Sequence, residues 1–127
     1  MNVIFIDDDE DLNFLQSRMC MRSSVINNYY IANSAVQALD YLAETDITPD
    51  VIFVDINMPE INGFQFIEKF EDEFSSRFPE TQLYVLTSSV SEKDRKNSLE
   101  FSSVKDFLIK PLTQEKLENI CLQQVNS

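Results

Sequence analysis

The chain reads as an α/β protein, five strand–helix units wound around a parallel five-stranded sheet. Short apolar runs alternate with segments whose apolar residues recur at helical spacing, and turn signals separate them. Val51-Ile52-Phe53-Val54 runs straight into Asp55, and a turn-rich stretch then closes on Gly63, the only glycine of the sequence. Such alternation implies helices on both faces of the sheet. Right-handed crossovers put each strand-to-helix loop at the carboxyl edge, where open α/β sheets bind ligands.

Val3–Ile6 is a continuous apolar run, compatible with a strand buried on both faces, and it ends in Asp7-Asp8-Asp9-Glu10-Asp11. A first helix is predicted from about Asp11 to Met21, with Leu12, Leu15 and Met19 on one face and acidic residues at its positive end. Tyr29–Ala32 reads as the second strand, starting near Val25 or Asn28. Ser34 is a candidate N-cap for a helix carrying Ala35, Ala38, Leu39 and Leu42. A third helix follows Gly63 to about Ser76, its stripe formed by Phe64, Ile67, Phe70 and Phe74 with Phe66 beside it, before Arg77-Phe78-Pro79 breaks it.

Leu83–Leu86 is the fourth strand, ending at Thr87-Ser88-Ser89. The fourth helix, about Ser91 to Leu99, is nearly all polar, leaving Val90 and Leu99 as its expected anchors. Val104–Ile109 gives a fifth strand, closed by Lys110-Pro111. Thr113 can cap a last helix with Leu117, Ile120 and Cys121 on one face and Val125 close by. A reversal of strand order at strand one, giving the order 2-1-3-4-5, brings the loops after strands one and three together.

At 127 residues and 14.7 kDa the chain is one domain by size. Ten basic residues against twenty-two acidic ones give a formal charge of -12. Such a surface repels phosphate backbones and excludes direct nucleic-acid binding as a leading role. The N-terminus has no basic segment of a signal peptide and no apolar run is long enough to span a membrane, so a cytoplasmic protein is expected. Cys20 and Cys121 lie in helical patterns and are expected to be reduced, mostly buried thiols. Histidine is absent, which removes a histidine base, a histidine-ligated zinc and an internal phosphohistidine.

The carboxyl edge gathers Asp7 and Asp8, Asp55, Thr87 and Lys110. Carboxylates crowded there repel one another and call for a counter-charge. A hard divalent cation supplies it, and magnesium favours one or two carboxylates plus a phosphoryl oxygen. Lys110 adds a positive charge and Thr87 a hydroxyl, which together suit phosphoryl transfer to an attacking carboxylate. Asp55, leaving the middle of the sheet, is the nucleophile; Asp7 and Asp8 hold the metal. Taken singly, each feature has a local explanation: a solvated helix start, a turn cap, a capped strand end, a solvated lysine. Gly63 alone reads as a turn residue with positive φ, and Phe107 as core. The D-x-D-x-D run is not a calcium loop, because Leu12 and Arg18 stand where glycine and glutamate are needed. The local explanations do not account for the convergence at one edge.

Across essentially the whole chain these motifs resemble the receiver domain of bacterial two-component response regulators, of the single-domain, chemotaxis-regulator type. The resemblance is carried by the strand before Asp7-Asp8, by Asp55 through Met58-Pro59 to Gly63, by Leu86-Thr87-Ser88, and by Phe107-Leu108-Ile109-Lys110-Pro111. It implies a flavodoxin-like, three-layer (βα)5 sandwich with no output domain. It implies that Asp55 accepts phosphate from a phosphohistidine on a sensor histidine kinase or phosphotransfer protein. Magnesium, or manganese in its place, would be held by Asp8, Asp55 and the backbone carbonyl of Asn57, with Asp7 in a supporting outer position. Thr87 and Lys110 would stabilise the phosphoryl group, Thr87 and Phe107 would form the switch, and Pro111, after a cis peptide bond, and Gly63 would support the loops. Asn57 and Ser89 fall where the family tunes autodephosphorylation. The output would pass through the face of helix four, strand five and helix five to a partner protein, and phosphorylation-dependent homodimerisation is a further outcome the resemblance allows.

Ser34 stands where the family often has glycine, the third-helix region is somewhat long before Pro79, and Phe107 lacks a tyrosine hydroxyl but can still pack in two rotamers. The start at Met1 and the polar ending through Ser127 fit a stand-alone regulator, and a receiver excised from a larger protein would read the same. Other roles predict different residues. A phosphohydrolase of the haloacid dehalogenase type needs an aspartate where Asn57 stands. A flavin mononucleotide carrier needs hydroxyls and amides where Asp7–Asp11 would repel phosphate. A phosphorylation-independent adaptor would leave partner binding unchanged on labelling. The expectation is therefore a signalling receiver that catalyses only its own phosphorylation and slow hydrolysis.

Overall fold

The structure is a computed structural model and describes residues 1–125; residues 126–127, the end of the polar tail, lie outside the described residues. The elements follow in strict alternation: β1 (Asn2–Ile6), α1 (Glu10–Arg22), β2 (Asn28–Ala32), α2 (Ala35–Glu44), β3 (Val51–Val54), α3 (Gly63–Glu73), β4 (Gln82–Thr87), α4 (Glu92–Leu99), β5 (Val104–Ile109) and α5 (Gln114–Val125). The strands form one parallel sheet in the order β2-β1-β3-β4-β5. The predicted order and layering are what the chain adopts.

The central strands are apolar at successive positions because both of their faces are covered. Val3, Phe5, Val51, Phe53, Tyr84, Leu86 and Leu108 join Cys20 of α1 and Leu117, Ile120 and Cys121 of α5 in one cluster. Ile4, Ile6, Ile52, Val54, Leu83, Val85 and Phe107 join Leu42 of α2 and Phe66, Ile67, Phe70 and Phe74 from the α3 region in the other. Phe5 and Phe53 stack at 4.8 Å between ring centroids across the β1–β3 pair.

Short polar side chains start the helices. Ser34 and Thr113 accept from the backbone N–H groups of Gln37 and Lys116, as their positions predict. Asn62 and Gln65 form a reciprocal capping box that opens α3. Caps of this kind contribute about 1 kcal/mol each.

Four local expectations need correction. The face of α1 carrying Leu12, Leu15 and Met19 is not the core face: Leu15 is 58% exposed, while Asn13, Gln16 and Cys20 are buried. The reason is polar demand, since the Asn13 amide donates to the Asp7 carbonyl at 2.7 Å and to Asn33 Oδ1 at 3.0 Å. In α3 the helix ends at Glu73, and the chain continues through turns at 74–77. Phe66 takes the buried place there, and Phe64 is half-buried and stacks on Phe101. Val90 does not anchor α4, being 83% exposed, and Leu99 is only partly covered, at 37% exposed; Ser98 is the buried residue of that helix. Val125 points to solvent at the end of α5.

Candidate functional site

The loops after β1, β3, β4 and β5 meet at the carboxyl edge. Asp7 and Asp55 extend the sheet ladder by one step: the Asp7 N–H donates to the Ala32 carbonyl and the Asp55 N–H to the Ile6 carbonyl, both at 3.1 Å. Each aspartate sits at the same parity as the inward residues Phe5 and Phe53 of its strand, and both are buried.

Their carboxylates are held in matching ways. Asp7 Oδ1 accepts from the Asp9 N–H and Asp55 Oδ1 from the Asn57 N–H, each at 3.0 Å. The other oxygen of each faces Lys110, whose Nζ lies 2.7 Å from Asp7 Oδ2 and 2.9 Å from Asp55 Oδ2. Asp8 is exposed beside them, and carboxylate oxygens of Asp7, Asp8 and Asp55 lie within 4.8 Å of one another. Three carboxylates against one ammonium leave a formal charge of -2 when all are ionised. A divalent cation is what such an oxygen donor set fits.

Burial pushes the Asp7 carboxyl above its ordinary value, and the hydrogen bonds from Lys110 and Asp9 only partly offset it. For Lys110, burial pulls down, but hydrogen bonds and charge from Asp7 and Asp55 outweigh it and hold the ammonium above the usual lysine value. Both values rise, but with opposite effects on charge: burial disfavours the Asp7 carboxylate, whereas two partner carboxylates favour the Lys110 ammonium.

Thr87 is fully buried at the end of β4. Its Oγ1 accepts from Asn57 Nδ2 at 3.3 Å and from the Ser89 N–H at 3.2 Å, which leaves its own O–H free to donate elsewhere. Phe107, buried, pairs in register with Val85, two residues before the Thr87–Ile109 pair. The Lys110 N–H donates to the Thr87 carbonyl at 2.9 Å, and the Lys110–Pro111 peptide bond is cis.

Gly63 plays a part different from the one its turn suggested. Its φ is not positive; among the described residues the left-handed non-glycine is Glu60, at φ 65°. What glycine provides is room, since a Cβ there would lie 2.5 Å from the Asp55 carbonyl oxygen and 2.6 Å from Ile56 Cα. The start of α3 is packed directly against the exit of β3.

The structure thus brings Asp7, Asp8, Asp55, Asn57, Thr87 and Lys110 to one site, with Phe107 in the core beneath, Gly63 at the start of α3 and Pro111 in the loop after β5. Sequence reasoning missed Asn13, which fixes the Asp7 backbone, and the Asn57 side chain on Thr87. Helical spacing of Asn13, Gln16 and Cys20 could have flagged the first, but apolar Leu12 and Leu15 gave the louder pattern. A cleft of about 650 Å³, lined by Glu71, Phe78, Thr81, Ser103 and Lys105, opens at the opposite, amino edge and is not where these groups meet.

Among the described residues no helix is long and apolar enough to cross a membrane. A sequence model of the response regulator receiver domain matches residues 3–121. A two-component response regulator from Cytophaga hutchinsonii is similar in structure, with a TM-score of 0.89 at 29% identity, over 99% of this chain and 97% of that one. A response regulator receiver protein from Dyadobacter fermentans gives a TM-score of 0.87 at 27% identity, over 100% and 99%. The sensor histidine kinase CheAY of Helicobacter pylori is 26% identical over 97% of this chain, which spans 15% of that kinase's length. Receiver domains are signalling modules rather than turnover enzymes, and an acidic cluster like Asp7, Asp8 and Asp55 is typical of their phosphoaccepting site. With that match over nearly all of its length and that cluster at its carboxyl edge, the chain belongs to the response regulator receiver domain family.

Proposed function

We propose that Asp55 accepts a phosphoryl group from a phosphohistidine and that its charge state is the signal. The observation that carries this is the arrangement of Asp55: one oxygen is fixed by the Asn57 N–H, the other by Lys110, with Asp7 and Asp8 alongside. Asp55 Oδ attacks phosphorus, the bond from phosphorus to the donor nitrogen breaks, and the electron pair leaves with the imidazole. Magnesium, or manganese, would be held by Asp8, Asp55 and the Asn57 backbone carbonyl, with Asp7 behind them. When bound, such an ion neutralises charge on the transferring group. Lys110 supplies a positive charge to the phosphoryl oxygens, and Thr87 donates its O–H to one of them. Asn57, an amide rather than a carboxylate, offers no base for rapid hydrolysis.

A phosphoryl group adds roughly -1.5 to -2 charge units and three strong acceptors. Thr87 can meet them only by turning from the Asn57 and Ser89 N–H groups toward Asp55, which biases Phe107 and the surface of α4, β5 and α5 between two arrangements. That face offers Ile109, Leu122 and Val125, all partly exposed, to an output protein or to a second copy of the chain. The donor is a sensor histidine kinase or phosphotransfer protein.

Labelling with acetyl phosphate and with a phosphorylated histidine kinase tests the assignment. Wild type takes up close to one phosphoryl group per chain and Asp55→Asn none. Persistent stoichiometric labelling of Asp55→Asn overturns it.

A further inference from the structure

The loop between β4 and α4 holds a bond chain that the acceptor chemistry does not use. Ser89 Oγ donates to Asp94 Oδ2 at 2.6 Å, a charge-assisted hydrogen bond, and accepts from the Ser91 N–H at 3.2 Å. Ser91 is the N-cap of α4, so one hydroxyl ties the loop both to the cap and to the helix's first turn. Asp94 is gripped from the other side as well: the fully buried Ser98 donates its O–H to the Asp94 carbonyl at 2.7 Å. At its far end the chain reaches the site, because the Ser89 N–H donates to Thr87 Oγ1.

We propose that Asp94 is a positioning residue that transmits the state of Thr87 to α4 through Ser89. The inference rests on the reading in which Thr87 turns toward a phosphoryl group on Asp55. The physical ground is the imbalance of attachments. Ser98 is the one buried residue of α4, Val90 before it faces solvent and Leu99 at its end is only partly covered, so apolar packing holds the helix weakly. The Ser89–Asp94 bond is short, half-buried and charged. When Thr87 leaves the Ser89 N–H, the loop shifts and the first turn of α4 moves with Ser89, because the link to Asp94 is stronger than the packing that would keep the helix in place. A bland alternative is that Asp94 merely favours the positive end of the helix dipole. That role needs the charge of Asp94 and does not involve the Ser89 hydroxyl.

The test reads backbone amide chemical shifts of the whole chain on addition of beryllofluoride with Mg²⁺. In wild type, changes run from residues 55 and 87 through 89 into 92–99. In Asp94→Ala the changes at 55 and 87 persist, while those in 92–99 fall at least twofold. Ser89→Ala gives the same loss, and the double variant loses no more than either single one. Asp94→Asn, which keeps an acceptor oxygen but no charge, restores most of the α4 response. An unaltered α4 response in Ser89→Ala, or an additive loss in the double variant, overturns the proposal while leaving the acceptor reading intact. A wild type silent at 55 and 87 overturns both.

Discussion

Lys110 Nζ stands 2.9 Å from Asp55 Oδ2, and the same nitrogen also meets Asp7 Oδ2, so a single ammonium is the shared ion-pair partner of two buried carboxylates. Removing it with Lys110→Met leaves both without their counter-charge. The metal-free protein is expected to lose on the order of 3 kcal/mol in urea titrations at neutral pH. Because Lys110 titrates above its unfolded value near 10.5, its contribution is fully present below that pH and is lost as pH rises through the folded value. The gap between wild type and variant should therefore close in strong alkali. A gap below 0.5 kcal/mol at neutral pH, by order of magnitude of ordinary surface changes, contradicts the pairing.

Mg²⁺ should raise the melting temperature of wild type, because the residual formal charge of the site is relieved only in the folded chain. At a concentration of about 100 times its dissociation constant a ligand adds about 2.7 kcal/mol. Asp8→Asn and Asp55→Asn should each lose most of that response. A calorimetric scan in which Asp8→Asn keeps the full Mg²⁺ shift would remove Asp8 from the ligand set.

Gly63→Ala is expected to cost on the order of 1–3 kcal/mol or somewhat more, since the new methyl meets backbone rather than a flexible side chain. The backbone it displaces is that of Asp55 and Ile56. Phosphoryl uptake should fall even at temperatures where circular dichroism reports a fully folded chain. Normal labelling of a stable Gly63→Ala variant contradicts the close approach.

Two substitutions on α1 should have opposite weights. Leu15→Ser, on the exposed face, should change stability by less than about 0.5 kcal/mol. Asn13→Ala should cost about 1–3 kcal/mol, because the Asp7 carbonyl and Asn33 lose a buried partner. Denaturant midpoints of the two variants decide it, and a larger loss in Leu15→Ser would restore the leucine face to the core.

Burial pushes the Cys20 thiol up to about 12 and Cys121 to about 11. Both are free and buried. Iodoacetamide at pH 8 should modify them at least tenfold faster in urea than in the native protein, as thiolate character and access govern the reaction. Raised folded values mean that the stability they contribute is present below about pH 9 and lost as pH climbs toward 11–12. Equal labelling rates in the two conditions would place the thiols outside the core.

The sheet and the site were legible for the same reason. Val51–Val54 must be apolar throughout because helices cover both of its faces, and Asp55 then stands out as the first residue that cannot belong to that core. Lys110 was readable by the same contrast with Leu108 and Ile109. The face of α1 was not, because Asn13 is turned inward by the Asp7 carbonyl, a demand visible only once β1 and α1 are docked. The role of Gly63 was also hidden, since close approach of two backbone segments leaves no local signature different from a turn. In α4, the bonds among Ser89, Asp94 and Ser98 replace the apolar anchors that a periodic pattern looks for.

The aspartates come from the first half of the chain and Lys110 from the loop beyond β5, an edge strand that pairs only with β4. Synthesis runs from the amino end, so a ribosome-bound chain exposes Asp7 and Asp55 well before the lysine that pairs with them has emerged. The site is complete only when the last strand has docked. Under the proposed function, competence to accept a phosphoryl group therefore depends on finished folding, because a chain that stops before β5 lacks Lys110.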